Sequence, residues 1–507
     1  MSSKVLSAAV LGLDCELIEV EADTTSALPA IFIVGLPDKS VDESKERVRA
    51  AIRNSGLQVP RRRVIINLAP ADLRKQGPSY DLPITVSILL VTKQLFIKDL
   101  FAKLFIGELA LDGSLRPVNG ILSVCLMARQ KGIKSIYVPA ENAAEASLVS
   151  GLEVFSCHNL LELVEHLSGR KIIGQFQTDS SIFNFDNQVD TGLDMSYIKG
   201  QNQVKRALEI AAAGGHNVLM SGPPGSGKTM LAKTMTTILP KVTIKESLEI
   251  TRIYSVAGLL PADQPLITYR PFRCPHHTAS GVALVGGGSW PKPGEISLAH
   301  RGILFLDEFP EFPRIVLENL RQPLEDGVIA VSRASGTLEF PANFILVAAM
   351  NPCPCGYLSD PDRNCSCLPG QIINYQRKIS GPLLDRIDLH IEVPKVKFEK
   401  LTEDSQAESS AAIRARVESA RDFQQQRFKD LNIITNSEMS SRQTREFCQI
   451  GVETVPLLRQ AVSQLNISAR SYFRILKLSR TIADLAGEKN IKTEHVAEAL
   501  QYRPKVE

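Results

Sequence analysis

The sequence predicts an α/β protein made of two α/β units and a helical C-terminal region. Three observations carry that prediction. Short apolar runs of strand length alternate with helical stretches from the N-terminus to Pro394, the pattern of strand–helix–strand connections and a parallel sheet. A polar stretch without periodicity, residues 175–194, interrupts the alternation. Beyond Pro394 the strand-like runs stop and charged, helical sequence takes over. The predicted layout is an N-terminal unit over 1–172, a linker over 173–195, a second core over 196–394 and a helical region over 395–507. At 507 residues the chain is too long for a single core.

Composition narrows the class. With 44% hydrophobic and 22% charged residues the chain reads as a globular protein. No run of 18 or more apolar residues occurs, so no membrane-spanning helix is expected. The opening, MSSKVLSAAVLGLDCELIEV, has early acidic residues and neither a basic start nor a long apolar core. No signal peptide is expected, which implies a cytoplasmic, reducing setting with the nine cysteines as thiols or metal ligands. A net charge of +3 neither demands nor excludes a nucleic-acid partner.

In the N-terminal unit, PAIFIVGLP and RRRVIINLAP read as strands and DESKERVRAAIRNSG as a helix ended by Gly56. KSIYVPAEN and the helix NLLELVEHLSG close the unit. In the second core, HNVLMSGPPGSGKTMLAKTM places Gly222-Pro223-Pro224-Gly225-Ser226-Gly227-Lys228-Thr229 straight after an apolar strand and straight before a helix. That is the context a P-loop needs. Small residues let backbone amides curl around a phosphate while the helix N-terminus adds its dipole. Lys228 offers a cation to the β- and γ-phosphates of ATP, and Thr229 a hydroxyl to Mg²⁺. RGILFLDEF supplies the acidic partner: an apolar strand ending in Asp307, suited to Mg²⁺, and Glu308, suited to orienting or deprotonating the attacking water. FILVAAMNP is another buried strand, ending in Asn351, whose amide suits the water beside the γ-phosphate. GPLLDRIDLHIEVP sets Arg386 between two aspartates. The reading is ATP hydrolysis.

Four cysteines follow Asn351 in two C-x-C pairs, Cys353/Cys355 and Cys365/Cys367, separated by nine residues. They form a Cys-rich insertion over 351–370 beside the phosphate site. In extended backbone an i, i+2 pair aims both sulfurs the same way, and two such pairs suit a closed structural zinc site. The segment between them is rich in Asp, Pro and Asn, with nothing apolar to order it unaided, and metal would supply that order. The alternative is four free thiols on a loop. Cys274, two residues before His276 and His277, raises a second metal site as a further possibility.

The order P-loop, LFLDE, strand-plus-Asn and LLDRID resembles the AAA+ ATPases, in the branch that holds magnesium-chelatase subunits and MCM helicases. The resemblance is greater still to the magnesium-chelatase-like ComM/YifB family, through RPFRCPHHTASGVALVGGG, PKPGEISLAHRGILFLDEFPEF, LRQPLEDG, AAMNPCPCG, ISGPLLDRIDLHIEVP and SARSYFRILKLSRTIADL. It implies a ring of identical subunits, a hexamer, with ATP between neighbours. It also implies that Arg386 is an arginine finger acting in trans, that Arg470 is the sensor on a helical lid, and that the chain is an ATP-driven DNA translocase acting on single-stranded or branched DNA. Arg474, one turn after Arg470, reads as an ordinary lid contact. EDGVIAVSRASGTLEFPANF reads as a β-hairpin where the helicase branch inserts one, with Arg333 near its turn as a phosphate contact. Lys292 and Trp290 in a glycine-rich loop, with His276 and His277, are further DNA-contact candidates.

LRKQGPSYDLPI, GELALDGSLRPVNG and KGIKSIYVPAEN resemble the Lon-protease (S5-like) fold. Ser79 fits that family's nucleophile, but Leu122 stands where the catalytic Lys belongs, so a scaffold without proteolysis is expected. The competing function is a protein-remodelling or metal-chelatase-type ATPase acting with a partner subunit. No D-x-S-x-S metal motif occurs in this chain, DGSLR failing at Arg116.

Overall fold

The computed structural model describes residues 2–97, 99–183, 192–288, 291–333, 336–358, 360, 362–396, 407–464 and 468–503, with the backbone alone at 180–181, 332–333 and 336. The chain folds as two compact units: Met1–Asn184 with Ile244–Thr268, and Phe185–Thr243 with Tyr269–Glu507.

The first unit is built on a seven-stranded mixed sheet in the order Ala30–Val34, Arg63–Ala69, Asp14–Thr25, Ser3–Leu11, Lys103–Phe105, Ser135–Pro139, Glu153–Cys157. Its two longest strands form an antiparallel hairpin from Ser3↔Ala22 to Leu11↔Asp14, which the sequence reading left unassigned. Helix Asp81–Val91 buries ten of its eleven residues. Asp81 is among them, and Arg47 meets it with two bonds, Nε to Oδ2 at 2.7 Å and Nη2 to Oδ1 at 3.1 Å. Burial of a carboxylate demands such a partner. Helix Lys39–Asn54 starts on Asp38, whose carboxylate accepts from the Val41 amide at 2.8 Å.

Helix Ile244–Ala257 lies in sequence within the second core, yet it packs into the first unit. The reason is a set of polar partners. Arg252 donates to Asp14 Oδ1 at 2.9 Å and to Ser123 Oγ at 2.9 Å. Ser255 donates to the buried Glu145, which also accepts from the Leu122 amide at 2.7 Å. Leu122 itself is fully buried, and Ser79 is half-buried in a short turn.

The second unit carries a five-stranded, all-parallel sheet in the order Phe272–Arg273, Ile303–Leu306, Ile345–Met350, Val218–Ser221, Leu389–Glu392. The central strands are apolar throughout because both faces are covered. Helices Ser410–Arg427, Ser441–Phe447, Val455–Gln464, Ala469–Leu485 and Thr493–Gln501 form the C-terminal helical region. An ion network ties that region together: Arg427 clasps Asp484 at 2.6 and 2.9 Å, and Asn436 Nδ2 donates to Asp484 at 2.8 Å. Buried His216 links it to the sheet, with Nδ1 3.2 Å from Asp388 Oδ2 and Nε2 2.8 Å from Thr481 Oγ1. Strands Val328–Arg333 and Gly336–Pro341 pair antiparallel from Val328↔Pro341 to Arg333↔Gly336. No helix among the described residues is long and apolar enough to cross a membrane.

Candidate functional site

In an open parallel sheet, ligands sit beyond the carboxyl ends of the strands, and the residues singled out from sequence gather there. The loop after Val218–Ser221 turns tightly at Gly222, where a Cβ would overlap the Val393 carbonyl of the adjacent strand end. Gly225 and Gly227 take φ of 75° and 88°, which side chains disfavour. Helix Lys228–Thr234 begins directly after. The Lys228 ammonium donates to the Gly222 carbonyl at 2.6 Å, to Pro223 at 3.0 Å and to Asn351 Oδ1 at 3.3 Å. Burial lowers its pKa, with the charge of Asp307 opposing. A desolvated cation whose hydrogen bonds go to neutral oxygens leaves its charge open to an anion. Buried Ser226 Oγ has no hydrogen-bond partner among the described residues. Both features fit a phosphate.

The neighbouring strand end supplies the metal side. Thr229 Oγ1 donates to Asp307 Oδ2 at 2.8 Å, and the Glu308 amide donates to Asp307 Oδ1 at 2.9 Å. A hydroxyl and a carboxylate in contact beside a phosphate cradle fit Mg²⁺. Glu308 sits at φ 51°, turned out of the strand path and exposed. Sequence reasoning assigned His277 to nucleic acid; its Nδ1 lies 3.1 Å from Glu308 Oε2. Gln201, which sequence reasoning missed, bridges the cradle, its Nε2 donating to the Ser226 and Pro394 carbonyls at 2.9 and 3.1 Å. Its φ of 53° in GQNQ is unreadable from composition.

The four cysteines converge. The sulfurs of Cys353, Cys355, Cys365 and Cys367 all lie within 4.8 Å of one another, with Cys353–Cys355 at 3.3 Å, Cys353–Cys365 at 3.7 Å and Cys355–Cys365 at 3.6 Å. Zinc–sulfur bonds of about 2.3 Å put tetrahedral sulfurs about 3.8 Å apart. Amides of Tyr357 and Ser366 hold the Cys355 thiol down to about 6. For Cys367 the Cys355 amide lowers the pKa, but burial and the surrounding sulfurs push it up to about 12. A set in which the Cys355 thiolate forms readily while the Cys365 and Cys367 thiols resist fits a site where a cation neutralises the group. The loop also touches the cradle: a Cβ on Gly356 would stand 2.6 Å from Pro224 Cδ and 3.8 Å from Asn351 Cγ. Among the described residues no other group of three such ligands forms, so Cys274 does not join His276 and His277 in a second metal site. His276 Nδ1 instead lies 2.9 Å from Thr278 Oγ1.

Arg386 and Arg470 meet each other through a residue that sequence reasoning passed over. Glu325 Oε2 accepts from Arg386 Nη2, and Glu325 Oε1 accepts from Arg470 Nη2 at 2.7 Å. Arg386 Nη1 also donates to the Pro382 carbonyl at 2.6 Å. Arg474 is buried one turn along, donating to the Ile387 carbonyl at 2.6 Å, a structural contact. Among the DNA-contact candidates, Arg333 stands on the hairpin opposite Gly336 and only its backbone is described. Lys292 is exposed, paired in backbone with Gly287. Trp290 lies outside the described residues.

The chain is similar to known proteins along nearly all of its length. The family described as magnesium chelatase, subunit ChlI, matches residues 194–401, its C-terminal family residues 407–503, and the subunit ChlI of Mg-chelatase family residues 20–142. The competence protein ComM of Haemophilus influenzae is 44% identical over 99% of this chain and 97% of its own. The uncharacterised protein YifB of Escherichia coli is 41% identical over 99% of this chain and 97% of its own. The magnesium-chelatase 38 kDa subunit of Cereibacter sphaeroides is 25% identical over 31% of this chain and 52% of its own. With its AAA+ core of parallel strands and helical C-terminal region, the chain belongs to the ComM/YifB family of magnesium-chelatase-like AAA+ proteins.

Proposed function

We propose that this protein is an ATP-hydrolysing motor that works as a ring, probing neighbouring subunits' nucleotides with Arg386 and Arg470 and moving single-stranded or branched DNA. The observation that carries the ATPase reading is one juxtaposition. Lys228, the Thr229–Asp307 pair, Glu308 and Asn351 stand together at the carboxyl ends of adjacent strands. Lys228 and the loop amides bind the β- and γ-phosphates, and Thr229 and Asp307 hold Mg²⁺, which neutralises phosphate charge when bound. Asn351 orients the lytic water and Glu308 takes its proton, once it has left His277.

The four cysteines hold a structural zinc ion that fixes the loop against Pro224. Arg386 acts as the finger and Arg470 as the lid sensor, both toward the γ-phosphate of the next subunit in a hexamer; their shared contact on Glu325, apart from the cradle contacts of Lys228, supports that reading. The DNA assignment rests on kinship with a protein named for competence and on the hairpin Val328–Pro341 with Arg333 at its end. The setting is cytoplasmic.

The test is the steady-state ATPase rate without nucleic acid and then with single-stranded, duplex and four-way-junction DNA at fixed salt, because phosphate contacts are salt-dependent. Several-fold stimulation by DNA, absent in Glu308→Gln, is expected. A rate indifferent to every DNA overturns the DNA assignment and favours a partner-protein remodeller of the chelatase type.

A further inference from the structure

Arg386 and Arg470 are organised by a single carboxylate, Glu325. Glu325 lies in the last turn of helix Arg321–Asp326, and its two carboxylate oxygens are divided between two guanidinium groups. Those groups come from distant places: Arg386 is 61 residues away, beyond the sheet's central strand, and Arg470 is 145 residues away at the start of the lid helix Ala469–Leu485. One carboxylate therefore joins the core to the lid. Hydrogen bonding from Arg386, with the charges of Arg386, Arg470 and Arg321, holds its pKa below the usual glutamate range, so it is an anion at neutral pH.

A carboxylate with two oxygens on two guanidinium groups offers the same contacts as two oxygens of a terminal phosphate. The arginines are not saturated by it: Arg386 Nε is buried with no hydrogen-bond partner among the described residues. Glu325 is also coupled to the hairpin. Gly327 follows the helix at φ 67°, its amide donates to the Pro323 carbonyl at 3.0 Å, and its own carbonyl accepts from the Ala342 amide at 2.8 Å. A Cβ on Gly327 would overlap Asn343 Oδ1, so helix and hairpin foot are packed without slack. Strand Val328–Arg333 begins at the next residue.

We infer that Glu325 is a positioning residue that occupies Arg386 and Arg470 in place of a neighbour's γ-phosphate, and that its release when this phosphate arrives shifts helix Arg321–Asp326 and the attached hairpin. This rests on the trans reading of the two arginines. Glu325 and the phosphate compete for one pair of cations, and DNA on the hairpin, by drawing Glu325 away, tips that competition toward the phosphate and speeds hydrolysis.

The experiment compares wild type, Glu325→Gln, Glu325→Asp and Arg386→Ala, measuring kcat and KM for ATP with and without single-stranded DNA, and thermal melting of each. Gln keeps the shape and removes the charge that competes. Expected is a DNA-free kcat raised at least about threefold in Glu325→Gln, a lower KM for ATP and a DNA stimulation ratio falling toward one, with Glu325→Asp restoring most of the ratio. Hydrogen exchange in 328–341 should respond to ATP in a Glu308→Gln background and lose that response when Glu325→Gln is added. Two results overturn the inference: Glu325→Gln matching wild type in rate and ratio, or losing rate in parallel with Arg386→Ala, which would make Glu325 a support for the finger. If wild type turns over ATP no faster than Glu308→Gln, the motor reading itself fails and takes the inference with it.

Discussion

Gly356→Ala is a change of one methyl group with a cost that the structure fixes from two sides. The residue has φ 86°, so an alanine there carries left-handed strain of about 1–2 kcal/mol. Its Cβ would stand 2.6 Å from Pro224 Cδ and 2.8 Å from Pro224 Cγ. A proline ring cannot swing aside as a long side chain would, so overpacking adds about 1–3 kcal/mol. The total is about 2–5 kcal/mol, shared between unfolding and displacement of the two loops. Pro224 belongs to the phosphate cradle, so if displacement there absorbs about 1.4 kcal/mol, the dissociation constant for ATP rises about tenfold. Melting curves and titration with a fluorescent ATP analogue read both quantities. Gly151→Ala is the control, with φ 84° and nothing within 4 Å of the added Cβ. It should show the strain alone and bind nucleotide as wild type does. Equal melting of the two variants with unchanged nucleotide affinity would refute the claim that the cysteine loop braces the P-loop.

Other outcomes follow from the same geometry. Lys228→Ala, which removes the cation in the cradle, should lower ATP turnover at least about a hundredfold in a steady-state assay. The purified protein should carry one zinc per chain by elemental analysis; Cys365→Ser or a strong chelator should remove it, lower the melting temperature and weaken nucleotide binding together. Burial, aided by the charge of Arg474, depresses His390 to about 4. The unfolded imidazole titrates near 6.5, so the unfolded chain takes up the proton first as pH falls. Stability from neutral His390 is therefore intact above about pH 6.5 and is lost between about 6.5 and 4, by up to about 3 kcal/mol. Melting of His390→Asn should fall less steeply than wild type across that window, and equal slopes would contradict the assignment.

The candidate phosphate site was legible because its chemistry is local. Glycines that admit a backbone turn, a lysine and a hydroxyl at fixed offsets, and an apolar strand before and a helix after must all be adjacent in sequence. The cysteine cluster was legible for a similar reason, since two C-x-C pairs lie within one short loop. The hairpin Ser3–Thr25 was not, because its first strand is made largely of Ser, Ala and Val without alternation of polar and apolar residues. Helix Ile244–Ala257 belongs to the first unit through Arg252 and Ser255, whose partners lie more than a hundred residues upstream. His277 read as a DNA-contact candidate together with the glycine-rich loop around Trp290 and Lys292, and only the sheet brings it beside Glu308. Glu325 carried no signal at all, since two arginines from separate elements define it.

The central claim, a motor whose sites are completed between subunits, is met most directly by mixing two dead variants. Lys228→Ala keeps Arg386 and Arg470 but loses its own cradle; Arg386→Ala keeps the cradle but loses the finger. In rings assembled from equal amounts, about one quarter of the interfaces pair an intact cradle with an intact finger, because each is present with a chance of about one half. DNA-stimulated ATP turnover of the mixture should recover to about a quarter of wild type while each variant alone stays near zero. A mixture as inactive as its parts would contradict the account.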